Sequence, residues 1–455
     1  MSAVPLGHHN SVEDRNDKRT ASDRLPALGI DDRTNRTCKP AIQQRARPTV
    51  NAVSLSGTSI LVINSGSSSV KFALFAAEQK LPRLFSGAME RIGLAHGHFH
   101  TEDPTGKRVI DDQVSLPSHR DALELLLKTL KDQLPTPRLF AVGHRVAHGG
   151  ADHDCPLRVT RELEDRLRRL IPLAPLHQPH NLAGISAIRE LDQHLFQVAC
   201  FDTAFHHNLP RLARLTGLPR ALQDGGIRRY GFHGLSYEYV VETLRKQNVQ
   251  VEKERIVIAH LGSGASMCAL RNGVSVETTM GFSTLAGLMM GTRSGDLDPG
   301  AVLYLMTEMG MDAGAVQNLL YKQSGLLGVS GISSDMRDLL NCRDEPAQEA
   351  VALFCYRARH HLAALTASLD GIDRLVFTGG IGAYSSEIRE RICHGFAYLG
   401  LRLDSTASQS NAGTISAHGA PVTVQALVSD EEYMIARHVV QLSSSPGKRR
   451  EASCS

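Results

Sequence analysis

No apolar run in the chain approaches the ~18 residues that a membrane span needs, so a membrane partner is not expected. The eight cysteines (38, 155, 200, 268, 342, 355, 393 and 454) form no CxxC pair. That argues against a zinc or disulfide framework and favours a reducing, cytoplasmic setting. The charge has little excess of either sign: 50 Lys/Arg against 47 Asp/Glu leave a net +3, too small to argue for nucleic acid. No apolar h-region follows the N-terminus, which disfavours a signal peptide. Three further signatures are missing. The P-loop pattern GxxxxGK[ST] is absent, and so is a GxGxxG turn with an acid about 20 residues on. No GxSxG elbow supplies the activated serine of a hydrolase.

What remains is an ordinary globular composition, 42% hydrophobic and 21% charged, whose 455 residues suggest two or three domains. Residues 1–57 hold nine Lys/Arg and six Asp/Glu, the whole net charge, while the remainder carries 41 of each sign. With no apolar periodicity, 1–57 reads as a disordered, dispensable extension, a transit peptide being the alternative reading. Residues 443–455 read as a second loose tail.

One unusual turn occurs twice. Ile60–Ile63 runs into Asn64-Ser65-Gly66-Ser67-Ser68-Ser69, and Ile256–Ala259 runs into His260-Leu261-Gly262-Ser263-Gly264, with Gly66 and Gly264 198 positions apart. Each is a β-branched strand ending in a glycine- and serine-rich bend that exposes backbone N–H groups with little side-chain bulk. The pair predicts a duplicated fold holding phosphates between its halves, through hairpin-like turns rather than a helix N-terminus.

The rest of the pattern is strands followed by helices, twice. Strands are expected at Ile60–Ile63, Lys71–Phe75 and Leu81–Gly87, then at Leu139–Val142 and Phe196–Phe201. Helical spacing marks Asp121–Leu134, Arg161–Leu170, Asn181–Leu191 and Ser236–Lys246. The second set has strands at Ile256–Ala259, Ser266–Arg271, Gly273–Thr278 and Leu375–Thr378. Its helices are Gly300–Met309, Ala313–Lys322 and Ala347–Ser368, and Asp430–Val440 closes the chain. A TIM barrel, with singly alternating elements, is excluded.

Arg145, in Gly143-His144-Arg145-Val146-Ala147-His148-Gly149-Gly150, and Arg293, in Gly291-Thr292-Arg293-Ser294-Gly295, sit in glycine-bounded segments read as loops. There a guanidinium fork can take carboxylate or phosphate, or can simply lie on a surface turn. His233, between Gly231 and Gly234, is accessible or else a packed histidine; His177 is similar. Asp202 ends an apolar strand, where open sheets bind ligands, or else caps the next segment. Cys200 and Cys268 read as core. Phosphoryl transfer needs phosphate cradles, oxygen ligands for Mg²⁺ and cations for the equatorial oxygens, and all three residue types are present.

Together INSGSSSVKF, GHRVAHGG, FDTAFH, RRYGFHG, MGTRSGDLDPG, FTGGIG and DEEYMIAR, in this order from about Ile60 to Val440, resemble the acetate kinase family. That family lies within the superfamily of sugar kinases, heat-shock chaperones and actin. The resemblance implies an α/β fold of two duplicated actin-like, ribonuclease H-like domains with a cleft between them. The N-terminal one would span 58–205, completed by a helix at 430–442, and the nucleotide-binding one 206–429. It implies reversible, direct in-line transfer from ATP to acetate, giving acetyl phosphate and ADP, with propionate also accepted. It implies Mg²⁺, with Mn²⁺ as an alternative, held through Asn64 and Glu431. Asp202, His233, Arg293, Arg145 and His177 would carry catalysis. Arg145, Ala147, Leu176, Phe232 and Thr284 would bind the acceptor. Lys71, His260, Gly262, Ser263, Gly264, Asp335, Arg337, Gly379, Gly380 and Gly382 would bind the nucleotide. A homodimer is implied by the family alone.

The chain departs from the family pattern at Ser263 (usually Asn), Ala383-Tyr384 (Glu-Asn), Thr284 and Ala286 (Pro and Glu) and Ala147 (Val). The last loss widens the acyl pocket. The other readings are a kinase for longer or branched acids and a catalytically silent nucleotide-binding protein. Against the silent reading, Asn64, Arg145, Asp202, His233, Arg293 and Glu431 are all present.

Overall fold

The computed structural model describes residues 57–132, 134 and 136–444. The two expected tails lie almost wholly outside these described residues. Among these described residues thirteen strands form two sheets. The first contains β1 (Thr58–Ser65), β2 (Ser69–Ala76), β3 (Arg83–Glu90), β4 (Gly97–Glu102), β5 (Arg108–Val114), β6 (Arg138–Val146), β7 (Leu157–Arg158) and β8 (Phe196–Phe201). The second contains β9 (Ile256–Leu261), β10 (Ala265–Arg271), β11 (Val274–Thr278), β12 (Arg374–Thr378) and β13 (Thr423–Ala426).

Their orders are β5-β4-β3-β2-β1-β6-β8-β7 and β11-β10-β9-β12-β13. Within the first lies a five-strand run, β3-β2-β1-β6-β8, that repeats the whole of the second. In each, two antiparallel pairings join the first three strands and two parallel pairings the last three. The fold is thus mixed α/β with an internal duplication, and each glycine-rich turn is the hairpin at the same place in its copy.

The central strands are apolar throughout because both their faces are covered. Leu61 and Ile63 of β1 pack with Leu123 and Leu126 of the helix His119–Asp132 and Ile188 of the helix Gln178–Leu191. Ile60 and Val62 pack on the other face with Met434, Ile435 and Val439 of the C-terminal helix Glu431–Ser443. That helix therefore completes the first sheet from the far end of the chain. The second sheet buries Val257 and Ala259 against the 24-residue helix Glu345–Ser368. It buries Ile256 and Ile258 against the helix Gly234–Lys246. Burying each valine, leucine, isoleucine or methionine among them contributes roughly 1.5–3 kcal/mol.

Four expectations need correction. The first meander continues into β4 and β5; β5 buries none of its residues and so shows no apolar alternation. β13, four residues long, is also an addition. Gly143, His144 and Arg145 belong to β6 and are not a loop. Finally, Gly379 and Gly380 open a short helix, Gly379–Tyr384, directly after β12, so glycine at a helix start joins the two hairpin turns at the cleft.

Candidate active site

Between the two sheets lies a cavity of about 1140 Å³, lined from both copies of the fold. On the first side, the turn after β1 is closed by a Gly66 N–H bond to the Ser69 carbonyl at 2.8 Å, and Asn64, Ser65 and Gly66 face the space. Asn181 ties this turn to the end of β6. Its Nδ2 donates to the Ser65 carbonyl, and its Oδ1 accepts from the Ala147 N–H, each at 3.0 Å. Gln178 holds the next residue, accepting from the His148 N–H and donating to the His148 carbonyl at 3.3 and 3.1 Å.

Parallel pairing of β6 with β8 sets Arg145 beside Asp202. The Arg145 Nε lies 3.1 Å from both Asp202 oxygens, and Nη2 donates to Oδ2 at 2.7 Å. Glu431, in the first turn of the C-terminal helix, reaches to 3.6 Å from the same Nε. Burial opposes the Arg145 charge, but these two carboxylates outweigh it and hold the guanidinium's pKa above its ordinary value. Burial pushes Asp202 upward, against the pull of Arg145.

On the second side, the Gly262 N–H bonds to the Gly264 carbonyl at 3.1 Å, and the Ser263 carbonyl accepts from the Gly291 N–H at 3.0 Å. The second turn is thereby fastened to the loop carrying Arg293. Arg293 Nη1 donates to the Thr284 carbonyl at 2.7 Å, and it has no ion-pair partner among the described residues. Burial, with Arg145 nearby, lowers Arg293 to about 10, so it stays charged at neutral pH. At Gly264 a Cβ would lie 2.8 Å from Arg293 Nη2 and 3.3 Å from His233 Nε2, so a larger residue would have to displace the end of the Arg293 side chain.

His233 takes the left-handed conformation (φ 60°), uncommon for a residue with a Cβ. It is locked there because the next residue, Gly234, donates its N–H to the Asp202 carbonyl at 2.8 Å. The buried Tyr237 hydroxyl contacts Ser266 Oγ, which lies 2.9 Å from His233 Nδ1. With the phenol donating to serine and serine to Nδ1, the hydrogen of neutral His233 sits on Nε2, beside Gly264 and Arg293 (a tautomer assigned from this network). Burial, then His260, Arg145 and Arg293, pull His233 well below the ordinary histidine value. His177 and His260 fall to about 4, chiefly through burial, with Arg293 and then Arg145 reinforcing His177 and Arg145 reinforcing His260. Three neutral imidazoles therefore stand among two cations.

Toward the outer end, Gly379 has φ 76° and would drive a Cβ to 2.6 Å from the Leu261 carbonyl oxygen, so only glycine brings this helix start against the end of β9. Gly380 faces open space. Asp335 caps the helix Met336–Asn341 and pairs with Arg337 at 2.6 Å.

Of the residues singled out from sequence, Asn64, Arg145, Ala147, His177, Asp202, Phe232, His233, His260, Gly262, Ser263, Gly264, Thr284, Arg293, Asp335, Arg337, Gly379, Gly380 and Glu431 line this one cavity. Lys71, Leu176 and Gly382 do not. Lys71 lies directly across from Asn64 in the β1–β2 register, and the Gly382 carbonyl is gripped at 3.0 Å by the wholly buried Arg389. Tyr384, named as a departure from the family pattern, also lines the cavity, as do Ser65, Asn181, Ser334, Met336, Leu340, Asn341, Ile381 and Ser385–Glu387, which were not singled out. Ser65 lay inside the first turn motif, whereas Asn181 and Asn341 carry no local signal.

The family model described as the acetokinase family matches residues 59–437. An acetate kinase of Rhodopseudomonas palustris is 50% identical over 393 residues, covering 84% of this chain and 98% of that protein. The crystal structure of Porphyromonas gingivalis acetate kinase superposes with a TM-score of 0.78 at 38% identity, covering 85% of this chain and 99% of that one. A propionate kinase structure from Francisella tularensis gives 0.79 at 34% identity, covering 84% and 98%. With its duplicated sheets, its paired and unpaired arginines at one cleft and these matches over nearly its whole described length, the chain belongs to the acetokinase family.

Proposed function

We infer that the protein is an acetate kinase that transfers a phosphoryl group between ATP and acetate, with propionate as a second acceptor. The observation that carries this is the convergence of Arg145 and Arg293 on one cavity, one neutralised by carboxylates and the other left without a counter-ion among the described residues. An unpaired buried cation is costly unless an anion completes it. A carboxylate acceptor is already ionised at neutral pH and needs no general base. The barrier is mostly repulsion between the acceptor and the phosphates, and fixed donors aimed at the transferring group lower it. Arg293 and the His233 Nε2–H supply such donors from the second lobe, and Arg145, held by Asp202, does so from the first. The methyl end of the acceptor is assigned to Ala147, Phe232 and Thr284, beside His177.

Asn64 and Glu431 offer an amide oxygen and a carboxylate toward the cavity, and Asp202 a second carboxylate. This all-oxygen donor set fits Mg²⁺. Bound there, the ion would neutralise phosphate charge. The two turns would hold the phosphates, and Gly379, Gly380, Asp335 and Arg337 would flank the nucleoside. The lobes 58–205 with 430–442, and 206–429, would close on the substrates as two bodies. A homodimer is supported by the helix Pro299–Thr307, which buries none of its residues and exposes Leu303, Tyr304 and Met306.

The test is trapping of the acyl phosphate as its hydroxamate, with ATP, Mg²⁺ and acetate, propionate or butyrate. Acetyl hydroxamate is expected, with propionate within about tenfold in kcat/KM, a margin of about 1.4 kcal/mol. No acyl phosphate from any acid would leave only nucleotide binding, and a preference for butyrate would move the chain to another substrate class.

A further inference from the structure

At the outer part of the first sheet, β4 alternates buried and half-buried residues, so His98, His100 and Glu102 share one face while Phe99 and Thr101 point into the protein. Glu90 of β3 is the cross-strand partner of His98. The pairing register puts Asn64, Lys71, Ala88 and His100 in one row across β1 to β4, so this cluster lies three strand spacings, about 14 Å, from the cavity's Asn64.

The polar atoms of the cluster are not satisfied by one another. Asp111, an acceptor held below the ordinary carboxylate range chiefly by its bond to His98, takes the hydrogen of His98 Nε2 at 2.6 Å. That bond leaves His98 Nδ1 toward Glu90, 3.7 Å from its Oε2. The separation is too long for a hydrogen bond. His100 Nδ1 is buried and has no hydrogen-bond partner among the described residues. Glu90, His98 and His100 each bring one ligand atom within 4.8 Å of the others.

We propose that Glu90, His98 and His100 form a zinc-binding site on the β3–β4 face, with Asp111 fixing the ligating tautomer of His98. Two imidazole nitrogens and one carboxylate oxygen suit Zn²⁺, which binds four ligands and would take water as the fourth. The same set does not suit Mg²⁺, which prefers oxygen. A carboxylate behind a ligating histidine is the usual outer-shell arrangement around zinc. The missing CxxC pairs exclude only a cysteine-built site; two histidines one residue apart on a strand are a different donor set.

The experiment is a zinc titration of the untagged full-length protein against a chromophoric chelator, in excess Mg²⁺. One tightly bound equivalent per chain is expected. His98→Ala and His100→Ala should each weaken it at least tenfold, and Asp111→Asn and Glu90→Gln by about tenfold or more. Zinc should also raise the Tm of the wild type and not that of the His98→Ala/His100→Ala double variant. All these variants should keep wild-type phosphotransfer, which shows that they are folded. The proposal is overturned by absence of binding at 100 µM zinc, a free concentration about 10⁴-fold above a 10 nM site, which would be saturated there. The sequence also has adjacent histidines near its start, His8 and His9. The proposal is equally overturned by affinity unchanged in the double variant, or by loss of the equivalent in a His8→Ala/His9→Ala variant alone.

Discussion

The two arginines of the cleft come from two copies of one fold, yet they are held in opposite ways. Arg145 is a strand residue, bonded to both oxygens of Asp202 and within 3.6 Å of Glu431. Arg293 sits in a loop, anchored by a single bond to the Thr284 carbonyl, with no carboxylate partner among the described residues. The first is therefore part of its own sheet's electrostatic framework as well as a proposed ligand for the acceptor. The second is a positive charge whose counter-ion has to arrive. One fold copy holds its arginine in place and the other leaves its arginine open to an anion, and in the proposed function a phosphoryl group between them meets both.

Substituting each arginine by alanine breaks the comparison most directly. Arg293→Ala is expected to lower kcat by about 10³ or more, as loss of a transition-state arginine does. Denaturant unfolding should show stability undiminished, because a buried cation without a partner is removed. Arg145→Ala should lose comparable activity and also about 3 kcal/mol of stability, because it strands the buried Asp202. Equal losses of stability in the two variants would erase the distinction.

A second contrast sets the two turns against each other. In Gly264→Ala the new methyl would press on Arg293 Nη2 and His233 Nε2. Displacing either by about 1 Å can cost on the order of 10²-fold in kcat. In Gly66→Ala the methyl meets only Ser69, its hydroxyl at 3.2 Å and its carbonyl at 3.5 Å. A loss under about fivefold is expected there, and steady-state kinetics of the pair decides.

The same asymmetry governs what was legible from sequence. Both glycine turns stood out because they end strands buried on two faces, whose apolar runs need no tertiary context to be seen. Arg145 was misplaced into a loop because Gly143 looked like a turn residue. A Cβ at Gly143 would come within 2.4 Å of Ile435, so that glycine lets the C-terminal helix approach β6, almost 300 residues away in sequence. Asn181 and Gln178 were invisible as site-builders for a similar reason. An asparagine and a glutamine in a helix have no local mark until the backbone they bridge, Ser65, Ala147 and His148, is brought to them. Arg293 was legible as a residue but not as an unpaired one, since pairing is a property of the assembled cleft.

Ala147 offers a smaller test on the first wall alone. Ala147→Val adds two methyls where the acyl end is assigned. It should lower kcat/KM for propionate relative to acetate by about tenfold, the effect of one or two methylenes in an apolar pocket. An unchanged ratio would move the acyl end away from β6.

The smallest effect expected is the response to pH, and its near absence is informative about both walls. His177 and His260 are lowered to about 4, chiefly by burial, and His233 lies well below the ordinary value. A histidine with a lowered pKa stays neutral until the pH falls far under 6.5, so none of the three changes charge between pH 6 and 8. Arg293, at about 10, remains protonated over the same interval. The kcat/KM for acetate should therefore vary by less than about twofold from pH 6 to 8, measured at fixed free Mg²⁺. A limb centred near 6.5 that disappears in His177→Asn would mean that this imidazole is solvated and titrates normally. The anion attracted by Arg293 would then share its site with a protonated histidine, and the contrast between a paired wall and an unpaired one would no longer rest on Arg293 alone.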